Sequence, residues 1–262
     1  MRGTKTKFLS AAAAATMAAL ALTACGSDSG DEPAADGAFT PVNDGQLTVC
    51  SDIPYEPFEF VKDGKNVGFD LDLAAEIAKD AELDLNVIDA SFDSIESGLF
   101  KNQCDIAISG ISITEERKGN MNFSDPYMDD DLMLVAKDGS GITDLDSAKD
   151  KKVGVQQATT GEKYGQDNGL TQIVGYEDGG LQVQALKAGN VEAALGNQSV
   201  LGYAIKDEKG FSVVANFTTG EQLGVALPKG GTEITDKVNA TLKRLNDDGE
   251  MAKLTEKWFG GK

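Results

Sequence analysis

The chain has 262 residues, 40% of them hydrophobic, with 43 acidic against 24 basic side chains, a net charge of −19 and no histidine. That length can bury one large core or two of ordinary size. The acidic balance argues against nucleic acid as a partner and against electrostatic adsorption to anionic lipid, and the lack of histidine removes the commonest general base and metal ligand.

Residues 1–24 read as an export signal. Arg2, Lys5 and Lys7 precede an Ala-rich apolar run over residues 8–22 that is too short and weak for a stable membrane span. The following Leu22-Thr23-Ala24-Cys25-Gly26 resembles a bacterial lipobox, in which Cys25 is lipidated and becomes the mature N-terminus. A plain signal peptide ending in small residues is the alternative. Removal of residues 1–24 leaves 21 basic against 43 acidic side chains, a net −22, so a lipid rather than charge would hold the protein to a membrane. Residues 25–45 are rich in Gly, Ser, Asp, Pro and Ala and read as a flexible tether. No later apolar run reaches the length of a span.

Residues 47–50 predict a strand, followed by an irregular loop, Ser51-Asp52-Ile53-Pro54-Tyr55-Glu56-Pro57-Phe58-Glu59-Phe60. Leu71, Leu73, Ala74, Ile77 and Ala78 lie on one face of a predicted helix. Residues 83–88 predict a strand, Phe92-Asp93-Ser94-Ile95 opens a short helix, and Ile106-Ala107-Ile108 is a short buried strand. This alternation implies an α/β block with a parallel sheet. Cys50 and Cys104 each sit in a strand signal just ahead of the loops. An even pair in an exported protein reads as a disulfide in preference to two buried thiols.

The stretch Asp105 to Arg117, DIAISGISITEER, carries the clearest chemistry. Small residues at Ser109 and Gly110 allow close backbone approach. Thr114 suits a helix N-cap, with Glu115 and Glu116 in the first turn, and Arg117 can turn back toward the loop. A hydroxyl, free N–H groups and a guanidinium fork would converge there as an anion clamp for a carboxylate or phosphate. After residues 132–136, an extended run, a second α/β block follows: strands over 152–156, 172–176, 191–195 and 211–215, and helices over 159–168, 181–188 and 199–207. Thr159 and Glu162 fit a capping box, setting a second helix start on a strand-end loop. A strand over 223–227 and an amphipathic region over 233–259, broken at Asp248-Gly249, complete the chain. Two lobes are expected: 46–136 with 222–262, and 137–221, with hinge strands at the borders.

With those residues in view, the chain resembles the family-3 solute-binding proteins, the extracytoplasmic amino-acid receptors of ABC importers. The likeness runs from about Gln46 to Phe259 and rests on Tyr55-Glu56-Pro57-Phe58-Glu59-Phe60, Gly68-Phe69-Asp70-Leu71-Asp72-Leu73, the stretch Ser109 to Arg117, Phe123-Ser124-Asp125-Pro126-Tyr127 and Trp258-Phe259. The resemblance implies a two-lobed, type II periplasmic-binding fold, each lobe a mixed and mainly parallel sheet flanked by helices, closing on a polar, amide or basic amino acid. It implies that Arg117 holds the α-carboxylate, helped by Ser112, the backbone at Ser109-Gly110 and Thr160, that Tyr55 and Phe92 sandwich the ligand's side chain, and that Asp52 meets a basic or amide group. Where the family usually places an aspartate for the α-ammonium, this chain has Asn197. An amide oxygen holds an ammonium more weakly than a carboxylate does; either Glu59 or Asp52 compensates, or the ligand is a betaine-like or cyclic derivative. An acidic ligand is disfavoured, because its second carboxylate would be desolvated without a partner.

No cofactor and no metal is expected. Asp129-Asp130-Asp131 lacks the spacing of a calcium loop and reads as a solvated turn. Neither a nucleophile elbow nor a phosphate loop matches. The expected protein is therefore a monomeric, non-enzymatic binder, lipid-anchored outside the cytoplasmic membrane and partnered by ABC permease subunits. Two rivals stand beside it: a cyclohexadienyl-dehydratase-like enzyme using Glu59 or Asp52 as acid or base, and a ligand-sensing domain.

Overall fold

The computed structural model describes residues 39–260. The expected signal segment, the lipobox with Cys25 and the first part of the tether lie outside the described residues. Two five-stranded sheets organise the rest. The first has the order Asp84–Asp89, Gln46–Ser51, Ile106–Ala107, Ala226–Leu227, Asn122–Phe123. The second has the order Gln172–Tyr176, Lys152–Gln156, Ala193–Asn197, Leu132–Lys137, Phe211–Phe217. In each, the first three strands are parallel and the fourth is antiparallel to both its neighbours. This is the two-lobed, type II arrangement of α/β halves.

The chain crosses between the halves twice, and each crossing delivers the antiparallel fourth strand of the half it enters. Leu132–Lys137 pairs with Ala193–Asn197 and Phe211–Phe217, so it belongs to the second sheet. The border expected between residues 136 and 137 therefore falls ahead of Leu132: five consecutive buried residues, Leu132 to Ala136, are the interior of that sheet. Met128–Asp129 and Gln222–Leu223 pair antiparallel where the two crossings run side by side. The single strand expected over 223–227 is split for that reason. Leu223 pairs with Met128 in the crossing, while Ala226 pairs with Ala107 and Phe123 in the first sheet. At Gly224, between them, a Cβ would lie 2.8 Å from the Ile113 side chain.

The first core forms where the helix Phe69–Asp80 and the helix Thr232–Asp247 pack on the sheet. Ile234, Val238, Thr241, Leu242 and Leu245 recur at helical spacing and are buried. Arg244 ties the two helices, with Glu76 at 2.8 Å and Asp80 at 2.7 Å. Cys50 and Cys104 are joined by a disulfide with Cα atoms 5.7 Å apart. It staples the strand Gln46–Ser51 to the segment that leads into its neighbour Ile106–Ala107. Among the described residues, no helix is long and apolar enough to cross a membrane.

Candidate functional site

The loops at the C-terminal ends of the parallel strands of both sheets face one another, which is where open α/β sheets place their ligands. A cavity of about 10 Å³, room for about one water, lies between them. Tyr55, Phe92, Ser109, Gly110, Ser112, Arg117, Thr160 and Asn197 line it together with Gln156 and Thr159. Asp52 and Glu59 are not in its wall. The halves are shut on one another: Tyr55 donates to Asn197 at 2.8 Å, the Gln156 amide to Asp52 at 2.5 Å, and the Gly180 N–H to the Pro54 carbonyl at 3.2 Å.

Arg117 is the centre of this arrangement. Thr114 caps its helix by accepting from the Arg117 N–H, and the side chain folds back over the loop. One terminal nitrogen donates to the Ser112 carbonyl at 2.9 Å and the other crosses to the Ala158 carbonyl of the second half at 3.1 Å. The guanidinium carbon lies 5.0 Å from the centre of the Phe92 ring, a cation–π contact. The side chain is 4% exposed, and burial lowers its pKa against the opposing pull of Glu96 and Glu221. Among the described residues it forms no salt bridge. A buried, charged fork with spare N–H groups and no anion within bonding distance is a site for one.

The supports of the clamp are acidic. Asp70, fully buried, accepts from the Gly110 N–H at 2.7 Å and from the Tyr127 hydroxyl at 3.1 Å. Ser109 donates to Glu59, also fully buried, through a short hydrogen bond. One oxygen of each acid, Glu59 Oε2 and Asp70 Oδ1, has no partner among the described residues. Burial pushes Asp70 up to about 7 and Glu59 well above the usual carboxylate range, the nearby Asp70 adding to the rise of Glu59. The pair thus braces the Ser109-Gly110 loop from behind. Glu59 is walled off from the cavity by Ser109, so it is not placed to meet a ligand's ammonium.

Asp52 lies behind the wall, held by the lining residue Gln156. Burial pushes it up to about 7 against the Gln156 hydrogen bond, with Asp178, Asp89 and Glu177 adding to the rise. A carboxylate among further carboxylates is a place where a cation gains. Asn197 accepts the Tyr55 hydroxyl through its amide oxygen, and Tyr55 is itself enclosed by glycines from both halves. A Cβ at Gly110 would lie 2.9 Å from its ring and one at Gly179 would lie 2.5 Å away. Tyr55 stacks on Phe58 at 5.9 Å while Phe92 covers the arginine, so the two rings expected as a sandwich have separate partners in this closed form.

Asp129-Asp130-Asp131 is not a solvated turn. Asp130 is buried, accepting from the Ser199 N–H at 3.0 Å and its hydroxyl at 2.5 Å, and Asp131 accepts from the N–H groups of Thr219 and Gly220. Asp130 fastens the first crossing to the second half, and Asp131 fastens the two crossings to each other. Gln156 and Glu221 are site residues with no sequence pattern of their own; the nearest signal for Gln156 is its place one loop ahead of the Thr159-Thr160 helix start. A wider groove of about 340 Å³ is lined by Pro54, Gln184, Tyr203 and others, and within it Lys187 and Glu208 pair at 2.8 Å. No group of residues able to hold a metal ion occurs among the described residues.

Residues 47–261 match the family model of bacterial extracellular solute-binding proteins, family 3. The arginine-binding extracellular protein ArtP of Bacillus subtilis is 35% identical, over 92% of this chain and 93% of its own. An ancestral arginine-binding protein solved with arginine bound is 36% identical, with a TM-score of 0.76 over 82% of this chain and 98% of its own. An ancestral amino-acid-binding protein described as a precursor of cyclohexadienyl dehydratase is 34% identical, with a TM-score of 0.74 over 82% of this chain and 95% of its own. The matched span takes in both sheets, both crossings and every residue of the clamp, and on that ground the chain belongs to the bacterial extracellular solute-binding proteins, family 3.

Proposed function

We propose that the protein captures an L-amino acid with a cationic side chain, L-arginine first among them, and presents it to the membrane permease of an ABC importer. The observation that carries this is Arg117: a buried guanidinium bridging the two halves through carbonyls, with spare donors turned to the cavity. A ligand carboxylate there would be bound in a charge-assisted, bidentate way. The backbone N–H groups of Ser112 and Thr160, which have no partner among the described residues, would complete the grip. Asp52, with Asp178 and Glu177 behind it, would meet the cationic end. The arginine-binding relatives support the same assignment.

The mechanism would be a population shift. With room for about one water, the closed form admits a solute only after the halves part. Rotation about the paired crossings at Met128–Asp129 and Gln222–Leu223 would open the cleft, and contacts to both halves would favour reclosure. The enzyme reading loses support from the position of Glu59, a carboxyl whose pKa burial raises, because Ser109 stands between it and the cavity. We further propose lipid anchoring through Cys25, tested by its replacement with alanine and the appearance of the protein in the culture medium.

Calorimetry with arginine, lysine, glutamine and glutamate, alongside a turnover assay on prephenate, tests the assignment. Arginine should bind most tightly and glutamate should not bind. Preference for glutamate, or turnover of prephenate, would overturn it.

A further inference from the structure

A carboxylate with no sequence pattern of its own stands against two hydroxyl residues that line the closed cleft. Glu221, half-buried on the second crossing, accepts through Oε2 from the Ser112 hydroxyl at 2.6 Å and from the Thr160 hydroxyl at 2.7 Å. Those hydroxyls come from the first and second halves. They stand on the two loops whose backbone amides, with Arg117, make up the proposed carboxylate grip. Each hydroxyl has one proton to give, so both are committed to Glu221 and neither is free for a ligand's carboxylate.

We infer that Glu221 is the acceptor for the ligand's α-ammonium, supplying the negative charge that Asn197 lacks; this rests on the amino-acid reading above. A zwitterion has its cation and anion on adjacent atoms and so needs an anion and a cation set side by side. The cleft offers that pair in Glu221 and Arg117. The other acids near the cleft are placed for other tasks. Asp52, held by the Gln156 amide, is assigned above to the cationic side chain, Glu59 lies behind Ser109 and is fully buried, and Asp130 takes both the N–H and the hydroxyl of Ser199. The Asn197 oxygen takes the Tyr55 hydroxyl. Glu221 has an oxygen, Oε1, with no hydrogen bond among the described residues. Its Asp130 neighbour is tied to the same crossing, the Asp130 N–H donating to the Glu221 carbonyl at 3.0 Å, which fixes where the side chain starts. Since Glu221 stands on the paired crossings about which the halves are proposed to rotate, the ammonium would be bound near the axis of closure.

The test compares L-arginine with 5-guanidinopentanoic acid, which lacks the ammonium, by calorimetry on the wild type and on Glu221→Gln. Glutamine keeps a carbonyl oxygen for the Ser112 and Thr160 hydroxyls, so the closed geometry survives, and thermal melting checks the fold. The expected result is that E221Q binds arginine about 10- to 100-fold more weakly while its affinity for the des-amino acid changes less than threefold. Adding Asn197→Asp to E221Q should restore the discrimination. Equal weakening toward both ligands would make Glu221 a closure residue with no ammonium contact, and tighter binding of both would make it a stand-in for the ligand's carboxylate; either overturns the inference. If the wild type bound neither compound, the amino-acid reading itself would fall, and this assignment with it.

Discussion

Replacing Arg117 by methionine separates the cost of losing the clamp from the cost of disturbing the fold. In the ligand-free protein the change removes hydrogen bonds of 2.9 and 3.1 Å to two carbonyls and a 5.0 Å contact with Phe92. It also removes a desolvated charge with no salt-bridge partner, and exchanging such a charge for an apolar group of similar size is often neutral or stabilising. The melting temperature should therefore move by no more than about 3 °C. With ligand the balance differs, because a carboxylate entering the cleft would be buried without its cation. Truncating one partner of a buried, hydrogen-bonded charge pair costs about 2–5 kcal/mol, or about 30- to 3,000-fold in affinity at 1.4 kcal/mol per tenfold. Arg117→Lys, which keeps the charge but not the planar fork, should fall between. Calorimetry for affinity and scanning fluorimetry for stability read the two effects separately. Arginine binding within threefold of wild type, or a loss of affinity accompanied by a fall of more than about 10 °C in melting temperature, would refute the reasoning.

Four further outcomes follow from the structure. Asp52→Asn should weaken arginine binding by about tenfold or more while leaving glutamine within threefold, as measured by competition calorimetry. Burial holds Asp52 near 7, so near pH 6 it is largely protonated until a cationic ligand favours its carboxylate. Arginine binding should then release a proton and tighten as pH rises from 5 to 8, seen as a dependence of the binding heat on the buffer's ionisation heat. Asp52, Asp70, Glu59 and Asp130 are all raised by burial. The folded chain keeps protons that the unfolded chain has released, so their contribution is complete below the unfolded carboxyl pKa and is lost as pH rises through about 6 to 7. The melting temperature of the ligand-free protein should fall between pH 5 and pH 8, and a rise would contradict the assignment. Converting both Cys50 and Cys104 to serine, whose disulfide spans 54 residues, should cost about 4 kcal/mol in the chain-entropy model, or about 8–16 °C by differential scanning calorimetry.

Local chemistry made much of this legible before any coordinates. The apolar run at Ile106-Ala107-Ile108 ends in two small residues and a capped turn, and the strand, the close approach at Gly110 and the Thr114 cap all follow from properties of adjacent residues. Motifs far apart in the chain meet in one cavity because strand-end loops share a side of the sheet. What the sequence hid depends on partners distant along the chain. The acidic run at 129–131 looks like a surface turn until a helix of the second half brings Ser199, and the second crossing brings Thr219 and Gly220, over it. Leu132–Lys137 follows the first half in sequence and pairs in the second because an antiparallel fourth strand can be supplied from outside the βαβ unit. Glu59 reads as a site acid until its burial behind Ser109 is seen, and Glu221 carries no signal until its two hydroxyl partners are.

A crystal structure of the protein grown with L-arginine tests the central claim most directly. The account predicts one arginine molecule between the two sheets, its α-carboxylate on the Arg117 guanidinium and the Ser112 and Thr160 amides, its side-chain guanidinium toward Asp52. An empty cleft with Arg117 turned to solvent, or arginine seated in the wider groove beside Tyr203, would contradict it.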